Sequence, residues 1–264
     1  MEKRKLQDSQ NPKEQCFIAN LGSASNSMTM SDGDGTEIDV SVVLPCLNEE
    51  ATVGGCINDV KDVFKDLGIR GEIIVADSSC DNSPVIAKGL GAKLVYPRGR
   101  GYGNAYLAGI REARGKIIVM ADADGTYDLK EISKFIKILN NGNVDIVVGT
   151  RLKGKILPGA MPRLHRYIGN PLLTLIANIL FKTRLSDMHC GMRAITKKAW
   201  KKIKATSTGM EFASEMLIKA AKKRLKIVET PITYHPRRGA KSKLNPIKDG
   251  YRHLKLLIKS RFTK

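Results

Sequence analysis

Two carboxylates, Asp122 and Asp124, stand on alternate residues directly after the apolar run Ile-Ile-Val-Met that ends at Met120. Acids so spaced in a loop can turn toward one point, where a divalent cation would reconcile their charges. Hard oxygen ligands suit Mg²⁺ or Mn²⁺, and such an ion keeps positions open for substrate phosphates. By itself the Asp122-Ala123-Asp124 triplet serves equally well as a helix N-cap or a solvated turn. Two further polar clusters follow apolar runs: Pro45-Cys46-Leu47-Asn48-Glu49-Glu50, and Asp77-Ser78-Ser79-Cys80-Asp81-Asn82-Ser83. Within the latter, Asp81 precedes Asn82-Ser83-Pro84 and reads as part of a helix cap with proline near the first helical position, so Asp77 is the better ligand candidate.

A glycine-rich stretch, Arg98-Gly99-Arg100-Gly101-Tyr102-Gly103-Asn104, lacks the third glycine of a dinucleotide fingerprint, and no Walker-type phosphate loop occurs. The dehydrogenase and P-loop classes are thereby excluded. The expectation for this stretch is a flexible loop that closes over a substrate or lines its phosphates at a helix start.

These clusters need elements to position them. Val- and Ile-rich runs at residues 40–44, 73–76, 93–96, 117–120 and 146–149 alternate with helical patterns at 52–67, 84–90, 103–113 and 129–140. Near-continuous apolar runs fit strands covered on both faces, hence a mostly parallel α/β sheet with its ligands at the carboxyl ends of the strands. The three acidic clusters then converge on one edge. With 264 residues and 42% apolar content the chain suits a single domain. Polar, Gly/Ser-rich residues 1–37 are expected to be a disordered extension. Five scattered cysteines point to a reducing compartment.

The net charge of +19 is concentrated late: residues 193–264 carry 21 Lys and Arg against 4 Asp and Glu. That surplus calls for an anionic partner. Nucleic acid is disfavoured, because only 5% of the chain is aromatic, too little for stacking, and converging carboxylates repel a polyanion. The apolar stretch 167–181 is broken by Asn170, Pro171 and Asn178 and is shorter than the roughly 20 residues of a membrane span. Core packing is the expectation for residues 171–181. Residues 246–264 read as a basic amphipathic helix lying on anionic lipid.

The segments PCLNEE, VADSSCDNS, RGYGNA, VMADADGTYD, DMHCGMRA, GMEFASEM and PITYHPRRGAKSKL stand in one order over residues 40–264. In that order and spacing the chain resembles family-2 glycosyltransferases of the dolichyl- and polyprenyl-phosphate sugar synthase type. The resemblance implies a GT-A fold as the single catalytic domain, over residues 38–245, with a nucleotide-sugar donor and a prenyl-phosphate lipid acceptor. It also implies a peripheral position on the cytoplasmic face of a membrane.

By the same resemblance, Pro45, Leu47 and Glu49 belong to the nucleotide-contacting first loop and Asp77 contacts the base. Asp122 and Asp124 bind metal and diphosphate, with Ala123 between them on the donor side. Leu47 departs from the tyrosine usual in relatives, and Gly125-Thr126 departs from the mannose synthases, where a glutamine adds a metal contact. Thr126 could supply a hydroxyl in its place. This form is closer to makers of prenyl-phosphate glucose or other hexoses, so a UDP-glucose-like donor is favoured, with GDP-mannose and UDP-GlcNAc as further options and a non-lipid acceptor as the alternative. Arg151 matches an element near the diphosphate. Asp187, Arg193, Glu211 and Glu215 fall on the acceptor side, although a cap, a structural salt bridge or a solvated face would account for them too. Arg237 (or Arg238) and Lys243 match a basic loop that closes on the phosphates, Arg as a bidentate clamp and Lys as a point charge. A lipid phosphate is already an anion, so in-line attack with inversion needs no general base.

Overall fold

The computed structural model describes residues 37–239 and 246–262. The expected N-terminal extension, Lys243 and the rest of the loop before residue 246 lie outside those residues. Seven strands form one sheet: β1 (Val40–Cys46), β2 (Gly71–Asp77), β3 (Lys93–Val95), β4 (Ile117–Met120), β5 (Ile146–Ile156), β6 (Arg193–Thr196) and β7 (Ile227–Tyr234). Their order is β3-β2-β1-β4-β6-β5-β7, with β6 antiparallel to both neighbours and the other pairs parallel. The expected mostly parallel α/β sheet is therefore present, and β6 and β7 extend it beyond the five apolar runs.

The intervening helices are α1 (Val53–Leu67), α2 (Ser83–Gly89), α3 (Tyr102–Arg111), α4 (Ile132–Asn140), α5 (Asn170–Phe181), α6 (Lys197–Ile203), α7 (Phe212–Lys222) and α8 (Pro246–Phe262). Apolar spacing makes these helices and packs them. On α1, Val53, Cys56, Ile57, Val60 and Val63 are buried, and the helix ends at Gly68, whose φ of 61° suits a residue without Cβ. On α4, Ile132, Phe135, Ile136 and Leu139 fill the same role. The chain crosses from β1 to β2 on one side and returns through β3 to β4 on the other. The crevice between β1 and β4 is thus the switch point at which such sheets bind ligands.

The expectation of core packing for residues 171–181 holds for one side of α5 only, where Ala177 joins the core and Leu173, Ile176, Leu180 and Phe181 pack against it. On α5 only Thr174 and Ala177 are fully buried, while Leu172, Leu175 and Ile179 are 53%, 54% and 69% exposed. Leu164, Tyr167 and Ile168, in the π-helical turn just before α5, continue the exposed face. A helix that is apolar nearly all round gives no sequence signal for which side the core covers. α8 packs against both α5 and α7, burying Leu257 and His253 and leaving Tyr251, Ile258 and Phe262 exposed.

The glycines before α3 have a packing reason rather than a closing one. A Cβ at Gly101, whose φ is 131°, would stand 2.3 Å from the Thr208 carbonyl oxygen, and one at Gly103 would stand 2.1 Å from that of Ser207. Asn104 N–H donates to the same Thr208 carbonyl at 3.1 Å. The 204–208 segment is itself held by Glu215, which accepts from the backbone N–H of Thr206 (2.9 Å) and Ser207 (2.7 Å). The start of α3 is therefore pressed against the segment that precedes α7. Gly103→Ala is expected to cost about 1–3 kcal/mol through overpacking and to lower Tm by several degrees in a thermal melt. An unchanged Tm would show that this contact is soft.

Candidate active site

Three loops at the carboxyl ends of β1, β2 and β4 are laced together by their own polar side chains. Asn48 N–H donates to Ser79 Oγ (2.7 Å), and Cys80 N–H to Asn48 Oδ1 (2.8 Å). Glu49 N–H donates to Ser83 Oγ (2.9 Å) and Glu50 N–H to Asp81 Oδ2 (3.1 Å). Asp81 also accepts from Ser83 N–H, the cap expected for α2. Thr52 Oγ1 donates to the Ala123 carbonyl at 2.7 Å, tying the first loop to the Asp122–Asp124 loop. Where the loops after β1 and β2 meet the segment after β7 lies a cleft of about 420 Å³ lined by Asn48, Glu49, Glu50, Ala51, Cys80, Asp81 and Gly239. Pro45 pairs with Ala76 within the β1–β2 ladder, and Leu47 is exposed on the loop beyond it.

Asp77, at 1% exposure, accepts from Ser79 N–H through Oδ2, while its Oδ1 has no partner among the described residues. Burial pushes this carboxyl up. A buried acceptor without a donor suits an incoming N–H group, such as that of a nucleobase.

Asp122 and Asp124 leave β4 side by side. Asp124 Oδ1 accepts from Thr126 N–H (3.0 Å) and Thr126 Oγ1 (2.6 Å), so the Thr126 hydroxyl orients the acid. Asp124 Oδ2 pairs with Arg237 Nη1 at 2.5 Å, and Arg237 Nη2 pairs with Glu49. Burial and the neighbouring Asp124 raise the Asp122 carboxyl from 3.8 to about 7, against the hydrogen bonds of Tyr102 and Tyr106 and the charge of Arg237. Two acids in so little water favour a cation between them. Among the described residues no group of three or more His, Cys, Asp or Glu side chains could hold a metal ion. Asp122 and Asp124, as hard oxygen donors, fit a divalent ion whose remaining positions are completed by phosphate oxygens.

Arg237 reaches this point because β7 pairs with β5 and its end is fastened to the β4 loop: His235 N–H donates to the Thr126 carbonyl at 2.8 Å, and Tyr127 bridges to Tyr234. Arg238 follows on the same segment, exposed to solvent.

Of the remaining predicted site residues, Arg151, Asp187, Arg193 and Glu215 are engaged with partners inside the protein. Arg151 and Asp187 form a buried bidentate pair at 2.7 and 2.8 Å, with the Arg151 ring partner Tyr234 5.2 Å away. Burial alone would raise the Asp187 carboxyl, but Arg151 outweighs it and holds it below its ordinary value. Arg193, 2% exposed, donates to the carbonyls of Cys190 (2.8 Å), Ala213 (2.5 Å) and Met188 (2.7 Å). Glu215 holds the 204–208 segment and Lys219. Glu211 sits at the start of α7, and its buried Oε2 has no hydrogen-bond partner among the described residues. Three residues to which motif reading gave no role join the site: Tyr102 and Tyr106 beside Asp122, and Gly191 against Asp122, Tyr102 and Tyr127. Only the tyrosines' place at the start of a helix near the sheet edge could have pointed to them.

The model of the family described as glycosyl transferase family 2 matches residues 41–204. The low-salt glycan biosynthesis hexosyltransferase Agl6 of Haloferax volcanii is 48% identical over 219 residues, 83% of this chain and 53% of that protein; the chain thus spans about half the length of this relative. A dolichyl-phosphate hexose transferase of the same organism is 33% identical over 84% of this chain and 93% of its own. Among solved structures, glucosyl-3-phosphoglycerate synthase from Mycobacterium tuberculosis, in complex with Mn²⁺, UDP and glucosyl-3-phosphoglycerate, superposes with a TM-score of 0.67. It is 21% identical, over 96% of this chain and 85% of that one, and it shares the GT-A fold.

Two expectations separate frame from site. Arg193→Met strands three buried carbonyls and should cost at least about 3 kcal/mol of stability; a melt within a degree of the parent would contradict the frame role. Asp122→Asn tests the opposite case. A carboxyl whose folded pKa is raised from 3.8 to about 7 lowers stability above pH 7, and the cost fades as pH falls toward 4. The Asn variant, melted without metal, should therefore be more stable than the parent at pH 8 and lose that advantage by about pH 4.

Proposed function

The chain belongs to glycosyl transferase family 2, and we propose that it moves a hexose from a nucleotide-sugar donor, UDP-glucose being favoured, to a prenyl phosphate at a membrane surface. The observation that carries this reading is the pairing of Asp124 and Glu49 with Arg237 beside Asp122, at the crevice between β1 and β4. Acids able to hold a divalent ion and a guanidinium able to grip phosphate meet at one point, which is what a sugar diphosphate requires.

Asp77 receives the base and the first loop the nucleoside, while Asp122 and Asp124 hold Mg²⁺ or Mn²⁺. When bound, that ion neutralises charge developing on the diphosphate. On donor binding Arg237 exchanges its carboxylate partners for diphosphate oxygens, and Lys243 follows on the same segment. A phosphate oxygen of the acceptor then attacks the anomeric carbon as the bond from that carbon to the diphosphate breaks, with inversion. The nucleotide diphosphate leaves with the bonding pair.

The lipid acceptor is supported by the exposed apolar faces of α5 and α8. Leu172, Leu175 and Ile179 stand on one helix, and Tyr251, Ile258 and Phe262 on its neighbour. Arg252, Lys255, Lys259 and Arg261 flank them on α8, and Lys222 of α7 reaches the Ser260 carbonyl and the Phe181 ring. Adjacent apolar and basic surfaces suit an anionic bilayer. The likeness of the dolichyl-phosphate hexose transferase adds to this support.

Radiolabelled UDP- and GDP-sugars incubated with prenyl phosphate in anionic vesicles should give an organic-extractable product that depends on Mn²⁺ or Mg²⁺. Asp124→Ala should lower turnover by at least about 10²-fold with the circular dichroism and melt of a folded protein. Full activity in that variant overturns the metal role, and label in a soluble acceptor alone overturns the lipid acceptor.

A further inference from the structure

Asp122 is enclosed by groups that no sequence motif predicts. Tyr106 Oη donates to Asp122 Oδ1 at 3.2 Å. Its ring is clamped edge-on by Tyr102 (centroids 4.8 Å, 82°) and face-on by Phe212 of α7 (5.5 Å, 9°). Tyr106 is 1% exposed, so its hydroxyl has little freedom to turn elsewhere. On the opposite side the second oxygen, Asp122 Oδ2, lies against Gly191. A Cβ built there would come within 2.9 Å of Oδ2, 2.9 Å of Tyr102 Oη and 3.0 Å of Tyr127 Oη. Gly191 is held in turn, its N–H donating to Tyr127 Oη at 2.8 Å.

One oxygen of Asp122 thus takes the rigid Tyr106 phenol, Tyr102 adds a second phenol beside the carboxylate, and Oδ2 has its place cleared by a residue with no side chain. We propose that Tyr106 is a positioning residue for metal and diphosphate binding, fixing the Asp122 carboxylate so that Oδ2 stays available beside Asp124, and that Gly191 keeps that place open. This rests on the reading of Asp122 and Asp124 as the metal-binding pair. Neither Tyr106 nor Gly191 touches substrate in this account. The physical reason is rotational: a carboxylate free to turn must be ordered when it binds, whereas one already hydrogen-bonded does not, and partners of this kind typically carry 10–100-fold in metal affinity.

The chain of support also explains why Tyr106 sits where it does. Glu215 fastens the 204–208 segment, that segment presses on Gly101 and Gly103, and the helix they begin carries Tyr102 and Tyr106 to Asp122.

The test is Mn²⁺ binding in the presence of UDP, by electron paramagnetic resonance titration on the full chain. Tyr106→Phe keeps the ring stack and removes only the donor. It should weaken Mn²⁺ binding about 10–100-fold, leave metal-free UDP affinity and the melt close to the parent, and recover turnover at high Mn²⁺. Gly191→Ala approaches Asp122 from the other side and should give the same loss. If both variants bind Mn²⁺ with UDP as the parent does while Asp122→Ala does not, the positioning role is wrong and the metal reading stands. A parent that binds Mn²⁺ no better than Asp122→Ala overturns the metal reading, and the role of Tyr106 with it.

Discussion

Acids gathered where water is scarce set the terms for everything around them. Glu49, Asp77 and Asp124 are all less than a tenth exposed at the carboxyl ends of the first, second and fourth strands, and Asp122 stands beside Asp124. Charges this close interact strongly once the effective dielectric falls, so the fold must deliver a cation or leave an acid protonated. It does both. Arg237 serves Asp124 and Glu49, while the carboxyl of Asp122 is pushed up to about 7. A site poised in this way has an unmet demand for positive charge.

That demand gives the return strand its importance. β7 lies at the edge of the sheet, far in sequence from the acids, yet its end is fastened to the loop after β4 by a backbone hydrogen bond and by the Tyr127–Tyr234 contact. The guanidinium is thereby carried to the acids by backbone pairing, without reliance on a long flexible reach. A second set of charges is consumed differently. Arg151, Asp187 and Arg193 come from motif positions yet are spent inside the protein, on each other and on backbone carbonyls. Removing one member of such a group exposes the desolvation cost of the rest, so these residues matter to the site through the frame that holds it.

The apolar runs make the first five strands legible, because strands covered on both faces leave a near-continuous signature. β6 and β7 leave none. The first is four residues that begin with a buried arginine, and the second contains Glu229 and Pro231, with proline tolerated because the strand is an edge. The acidic loops stand out in the sequence because three of them follow buried strands, which brings their carboxylates to one edge of the sheet. The tyrosines around Asp122 do not, because an aromatic at helical spacing reads as core until its hydroxyl partner is known. The packing role of Gly101 and Gly103 is hidden for a related reason: their neighbours, Ser207 and Thr208, lie about a hundred residues away in sequence. A requirement imposed by a distant backbone cannot be read from local pattern.

An anionic acceptor, on the proposed reading, accounts for the mixture of groups in the site. Transfer to an alcohol would need one carboxylate kept free as a base, reachable by the hydroxyl and unpaired. Here Asp124 and Glu49 are paired with Arg237 and Asp122 with its phenol, so these three acids are arranged to hold partners rather than to stand free as bases. A phosphate arrives already ionised and asks instead for positive charge to draw it in, which the basic last quarter of the chain supplies. The same surplus flanks the exposed apolar faces of α5 and α8, where a prenyl chain and anionic head groups would meet the protein together. On that reading the basic surplus late in the sequence becomes a division of labour in space: the early acidic loops would hold the donor, and the late helices would bring the acceptor to it.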